Sequence, residues 1–192
     1  PLALSIGLVP GMAITQARVL VPGLDIRPAD RDGDRAELHR LAIALARHFS
    51  PIVAIADDET LAIEVSGTDH LFGGEAMMAR RIVRLLARLG FAARIAIADT
   101  LGAAHALARR ADPVIVCPIG GHAEAIAALP VRALRIDERD IELLKRLGVD
   151  RIGELAAIPR APLVKRFGKQ IAIRIHQALG ALPEPLHPLI PP

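Results

Sequence analysis

The chain is predicted to be an α+β protein, and three observations carry that prediction. Up to about residue 118, short apolar segments of strand length alternate with amphipathic helical patterns, the signature of helices packed on a sheet. Beyond Pro118 the strand pattern stops, and short helical segments follow one another, punctuated by Gly and Pro. The core must be aliphatic, because 52% of the 192 residues are hydrophobic while Trp and Tyr are absent and Phe occurs four times.

The elements follow in order. After the Gly7/Pro10-Gly11 turn, a helix runs from Ile14 to Leu20 and stops at Pro22-Gly23. The charged run Asp30–Arg35 is expected to be a solvated turn, with Asp34 capping a helix in which Leu38, Leu41, Ala42 and Leu45 recur until Phe49. Pro51 ends it and Ile52–Ile55 is extended. The acidic turn Asp57-Asp58-Glu59 leads into a strand, Thr60–Val65, and His70 stands in a turn after it. The next helix is clearly two-faced: Met78, Ile82, Leu85, Leu86 and Leu89 on one side, Arg80, Arg81, Arg84 and Arg88 on the other, with Gly90 as its stop. Ala93–Ala98 is a strand, Thr100–Arg110 a helix and Val114–Cys117 a short strand. Helices then cover His122–Leu129, Asp137–Leu147, Arg151–Ala157, Arg160–Phe167 and Lys169–Leu179, and Leu182–Pro192 (LPEPLHPLIPP) is an extended, polyproline-like linker.

Composition excludes several classes. The single Cys117 rules out an internal disulfide and favours a reducing cytoplasm, where it serves as a small buried hydrophobe. No apolar run reaches the roughly 18 residues of a membrane span. The histidines show no metal-ligand spacing, Gly73-Gly74 and Gly120-Gly121 are isolated pairs rather than phosphate loops, and no serine sits in a nucleophile elbow. Net charge is only +3, yet residues 132–176 hold 11 Lys/Arg against 6 Asp/Glu. That imbalance suits a polyanionic partner, although a basic helical face is more often simply solvated. Pro1 is not an initiator residue and the proline-rich end stops abruptly, so the sequence reads as a piece of a longer protein.

Two segments could carry chemistry. Asp57, Asp58 and Glu59 are weak candidates for magnesium, which takes oxygen ligands in octahedral geometry. A solvated turn blunting a sheet edge explains them better without a third carboxylate from a neighbouring strand. Leu147-Gly148-Val149, followed by Arg151-Ile152-Gly153-Glu154-Leu155, has the form of a helix-hairpin-helix. Its backbone N–H groups could take a nucleic-acid phosphate, with Lys145, Arg146 and Arg151 adding charge. An ordinary helical hairpin with a glycine stop has the same pattern.

Taken together, the segments resemble a Y-family translesion DNA polymerase across almost the whole chain. Gly7–Met12 with Ala17 and Pro22 is similar to the family's fingers segment, and Leu61–Gly74 (LAIEVSGTDHLFGG) to a palm strand and its turn. Residues 92–108 are similar to a second palm segment; Leu129-Pro130-Val131, Leu147–Ala156 (LGVDRIGELA) and Arg166-Phe167-Gly168 are similar to the thumb. The resemblance implies a ferredoxin-like palm lacking its first strand (residues 51–118), small fingers (1–50), an all-helical thumb with a helix-hairpin-helix (119–182), and a linker (183–192) to a further domain.

The departures matter as much. The family's metal-binding Asp-Glu pair falls on Glu59-Thr60, and a hydroxyl cannot supply the second full charge. The Tyr and Arg that grip the triphosphate fall on Pro1 and Leu4. The palm's Asn-Lys becomes Thr100-Leu101, and a further lysine becomes His105. Neither Leu nor neutral His replaces permanent positive charge. The thumb's usual G-x-G is replaced by Arg135-Ile136-Asp137-Glu138.

These losses resemble the ImuB-type, catalytically degenerate branch of the family. The resemblance implies no catalytic residues, no cofactor, and a scaffold at the nucleoid in translesion synthesis and damage-induced mutagenesis. It would bind primer–template DNA through Lys145, Arg146, Gly148, Val149, Arg151 and Gly153. Its partners would be the sliding clamp, a RecA-like companion (ImuA) and an error-prone replicative-type polymerase, mostly through regions beyond the thumb. Two alternatives stay open: an active polymerase with an atypical metal site, and a pure protein-interaction module.

Overall fold

The computed structural model describes residues 2–9 and 11–189. By contacts the chain divides into two units, Pro1–Ala36 and Glu37–Pro192. The first contains α1 (Leu2–Ser5), α2 (Ile14–Leu20) and the start of α3 (Arg31–His48). The charged run expected as a turn is the first turn of α3. Asp30, not Asp34, caps its start: the Asp30 carboxylate accepts from the Gly33 N–H at 2.9 Å. A Cβ on Gly33 would lie 2.3 Å from that carboxylate, so glycine allows the cap to close. Asp32 and Asp34 then sit in the first turn, where the helix dipole favours acids. Pattern reasoning missed this start because the run contains no apolar residue to set a phase.

Among its described residues the second unit has four strands. β1 (Val53–Asp57) and β2 (Thr60–Ile63) form an antiparallel hairpin, with an irregular register between Ile55 and Asp57. β3 (Ile95–Ile97) and β4 (Val114–Val116) form a parallel pair joined by α5 (Leu101–Ala108). The strands are thus paired two by two, and α4 (Glu75–Arg88) packs against the β3–β4 ladder while sharing a buried cluster with β1. Its inward residues Met78, Ile82 and Leu86 join Ala42 and Leu45 of α3 and Val53 of β1 in one buried cluster, with Ile95 packed against it. A 3-10 turn, Asp69–Phe72, carries the chain from β2 to α4 and includes the exposed His70.

The larger cluster lies among the helices. α6 (His122–Ala127), α7 (Glu138–Arg146), α8 (Ile152–Ala156), α9 (Arg160–Phe167) and α10 (Lys169–Ala178) enclose it. Ile126, Leu144, Ile152, Leu155 and Ile171 are almost fully inaccessible, and Ala103, Ala106, Leu107 and Cys117 belong to the same core. Fully burying each large aliphatic contributes about 1.5–3 kcal/mol. One core therefore includes residues on both sides of Pro118. α5 and α10 meet at backbone contact: a Cβ on Gly102 would lie 2.8 Å from the Ala178 Cα. Thr100 secures the junction, donating to the Ala178 carbonyl at 2.9 Å while its hydroxyl accepts from the Ala103 N–H.

The segment expected as an extended linker makes polar contacts with the rest of the unit. Its Glu184 carboxylate takes both oxygens to Arg135 Nη2, at 2.7 and 2.8 Å, and one to Arg174 Nη1 at 2.9 Å. Five residues on, the Leu189 N–H donates to the Val53 carbonyl at 2.8 Å. Residues 190–192 of that expected linker, with Pro1 and Pro10 of the expected fingers, lie outside the described residues.

Candidate nucleic-acid interface and the inherited polymerase site

The β1–β2 hairpin places the acidic turn where the family resemblance sets its metal-binding pair. Asp57 ends β1, and its partner in the ladder is Thr60. One carboxylate oxygen, Oδ1, accepts from the Glu59 N–H at 2.9 Å; the other, Oδ2, lies 3.2 Å from His105 Nε2. Partial burial pushes the Asp57 carboxyl up, but hydrogen bonds from Thr60, the Glu59 N–H and His105 outweigh it and hold it below the usual carboxylate range. Asp58 and Glu59 are exposed. Among the described residues no group of three or more His, Cys, Asp and Glu is placed to hold a metal ion. Octahedral magnesium needs converging oxygens, and this donor set diverges, so the residues present do not fit the ion.

His105, at the position of the lost lysine, is buried in α5 and touches three groups. Its Nδ1 is 3.3 Å from the Ala133 carbonyl, its Nε2 3.2 Å from Asp57, and Arg109 Nη2 3.1 Å from that same Nε2. Burial first, then the charges of Arg109 and Arg135, push its pKa down, against the opposing pull of Asp57 and Ala133. That balance favours a neutral ring, whose Nε2–H donates to Asp57. The side chain bridges a strand and a helix rather than facing an open site. Leu101 opens α5 half-buried, directly after the capping Thr100. The side chain of Leu4 and all of Pro1 lie outside the described part.

The second candidate, the α7–α8 hairpin, has the expected form. α7 ends at Arg146 with Leu147 as its C-cap, Gly148 adopts φ 74° and α8 begins after Arg151. Lys145 and Arg146 are exposed at the C-terminal end of α7, with Arg146 Nη2 only loosely paired to Glu142 at 4.0 Å. Gly153 packs against α6, where an added Cβ would be 3.2 Å from the Ala127 carbonyl oxygen.

Several of the backbone donors expected to receive a phosphate are already engaged. Gly148 N–H bonds to Lys145, Val149 N–H to Leu144, and Ile152 N–H to Leu129. Glu154 reaches back so that its Oε2 accepts from the N–H groups of Asp150 and Arg151, at 2.9 and 3.0 Å. A carboxylate of the chain itself therefore fills the anion position of this helix start. Arg151 Nη1 donates to the Ala128 carbonyl at 2.8 Å.

The segment that replaces G-x-G is also self-contained. Arg135 has φ 27°, a left-handed backbone that costs a non-glycine residue about 1 kcal/mol or more. Its nearly buried guanidinium is held by Glu184, itself only 11% exposed. Sequence reasoning missed this triad, since Arg135 and Glu184 are 49 positions apart and Glu184 sits in a proline-rich stretch.

Comparison with known proteins agrees with this architecture. A model of the impB/mucB/samB family matches residues 1–109, and the chain belongs to that family. Its likeness within the family runs to Protein ImuB of Caulobacter vibrioides (strain NA1000 / CB15N), 48% identical over 180 residues, 94% of this chain and 39% of that protein. DNA polymerase IV of Dehalococcoides mccartyi (strain CBDB1) is 30% identical over 178 residues, 91% of this chain and 45% of the relative. Among solved structures, DinB from Sulfolobus solfataricus superposes with a TM-score of 0.76 at 19% identity, covering 97% of this chain and 56% of that one. The insertion ternary complex of Dbh DNA polymerase gives 0.75 at 18% identity, covering 96% and 55%. These likenesses establish the Y-family polymerase fold, and the chain spans less than half the length of either curated relative. None of the described helices is long and apolar enough to cross a membrane.

Proposed function

We propose that this chain is the polymerase-fold part of a non-catalytic scaffold, which engages primer–template DNA and helps assemble a translesion-synthesis complex during DNA repair. The observation that carries this reading is the state of the acidic hairpin. Thr60 stands where the second metal-binding acid is expected, and both oxygens of Asp57 are committed to Glu59 and His105. Two-metal chemistry needs carboxylates free to converge on the ions. The ImuB relative supports the same branch of the family. The sliding clamp, a RecA-like companion (ImuA) and an error-prone polymerase belong to the proposal by resemblance, and so does work at the nucleoid.

DNA contact is assigned to Lys145 and Arg146, with Arg151 beside them and Gly148, Val149 and Gly153 setting the hairpin's shape. Arg151 also clamps the Ala128 carbonyl, so the cleaner test removes the other two charges. Lys145→Ala with Arg146→Ala is expected to weaken binding and reduce the slope of log K against log[salt] by about 2. An unchanged slope would remove this hairpin from the interface.

The deciding experiment is primer extension by the full-length protein with magnesium and all four nucleotides, beside a DNA-binding control on the same preparation. Binding without extension is the expected result. The polymerase reading draws on the DNA polymerase IV relatives. Extension that disappears on changing Asp57, Asp58 and Glu59 would establish it instead. Absence of DNA binding would leave a protein-interaction module.

A further inference from the structure

The outer side of α4 contains a basic row whose purpose the fold does not explain. Arg80, Arg84 and Arg88 recur at four-residue spacing, Arg81 stands beside them, and all four are exposed. Among the described residues none has a carboxylate within ion-pair distance; Arg84 Nε donates only to the Arg80 carbonyl of its own helix, at 3.3 Å. Like charges at this spacing cost a helix a few tenths of a kcal/mol per pair. They flank an open groove of about 920 Å³ floored by Phe49, Phe72 and Leu85, with Arg81, Arg84 and Arg88 on its wall and no acidic residue in its lining. Half of the chain's four phenylalanines are in this one groove.

We propose that this groove docks an acidic, amphipathic peptide segment of a partner protein, with apolar side chains on the phenylalanine floor and carboxylates on the arginine row. Charge complementarity selects the sign of the occupant, and the apolar floor selects one with hydrophobic anchors. The ring faces argue against nucleic acid. Phe49 and Phe72 stack on each other with centroids 5.1 Å apart, and Arg81 lies 5.7 Å from the Phe72 centroid. Base stacking needs an open aromatic face, and here ring and guanidinium already cover Phe72.

The test is fluorescence anisotropy at low salt with a labelled 14-residue probe, Asp and Glu on one helical face and Leu and Phe on the other. The expected result is saturable binding that weakens at least tenfold in Arg84→Glu with Arg88→Glu. It should weaken similarly when the probe's Leu and Phe are replaced by Ser. Circular dichroism melting confirms folding, and Arg84→Gln with Arg88→Gln serves if the glutamates disturb it. Undiminished binding by the folded variant overturns the proposal. So does displacement of the probe by oligo-dT at matched charge, which would make the face a nucleic-acid surface.

Discussion

The acidic hairpin and the outer face of α4 treat charge in opposite ways. At the hairpin, where the polymerase resemblance places chemistry, Asp57 is held by Thr60, Glu59 and His105. Two loop carboxylates repeat the habit: Glu184 is shared by Arg135 and Arg174, and Asp99 accepts from the Gly120 N–H and His122 Nδ1 at 2.7 and 2.8 Å. On α4, four arginines have no acidic partner among the described residues. Charges turned inward hold the fold together. Charges left open are available to something else.

The contrast is open to breaking, and the largest effect should come from its inward half. Glu184→Ala would leave two guanidiniums mostly desolvated without a counter-charge, at a cost of about 3–5 kcal/mol in chemical denaturation. Glu184→Gln, which keeps two acceptor lone pairs, should cost less. A next effect, about 1–3 kcal/mol, is expected for Gly102→Ala, because the new methyl meets the Ala178 backbone at 2.8 Å. A Tm unchanged by that substitution would mean that α5 and α10 separate easily.

His105 sharpens the contrast through pH. Its folded pKa lies below its ordinary value. Between the unfolded and folded values the unfolded chain therefore binds more protons, so the stability contribution is complete above about pH 6.5 and is lost as pH falls through the folded pKa. Melting temperature should accordingly decline on acidification below about pH 6.5, and His105→Asn should flatten that limb. The smallest effect belongs to the outward half. Arg84→Glu creates opposite-charge pairs with Arg80 and Arg88 and should leave stability unchanged or raise it by a few tenths of a kcal/mol. A loss of several kcal/mol there would place α4 among the inward-facing elements.

Much of the fold was legible in local pattern. Ile14–Leu20 and Arg160–Phe167 run between the residues expected, since Pro and Gly punctuate both ends. The two-faced helix was plain, because Met78, Ile82 and Leu86 mark its buried side. Long-range polar pairing was not legible. The Asp57–His105 contact joins residues 48 positions apart, and neither position alone says whether its side chain turns inward. The candidate interface shows the same limit. Lys145, Arg146 and Gly148 were found from spacing, but not that Glu154 already occupies the neighbouring N–H groups. That capture depends on a side chain folding back over its own helix start.

Cys117 gives the helical core a clock. It is the sole thiol of the chain and 7% exposed in the larger cluster; burial, then the nearby Asp99 carboxylate, pushes its pKa up. Only a thiolate alkylates rapidly, so in the closed protein reaction with iodoacetamide should be slow. Its rate then counts openings of the core, one covalent mark per molecule, without a tag or an added label site.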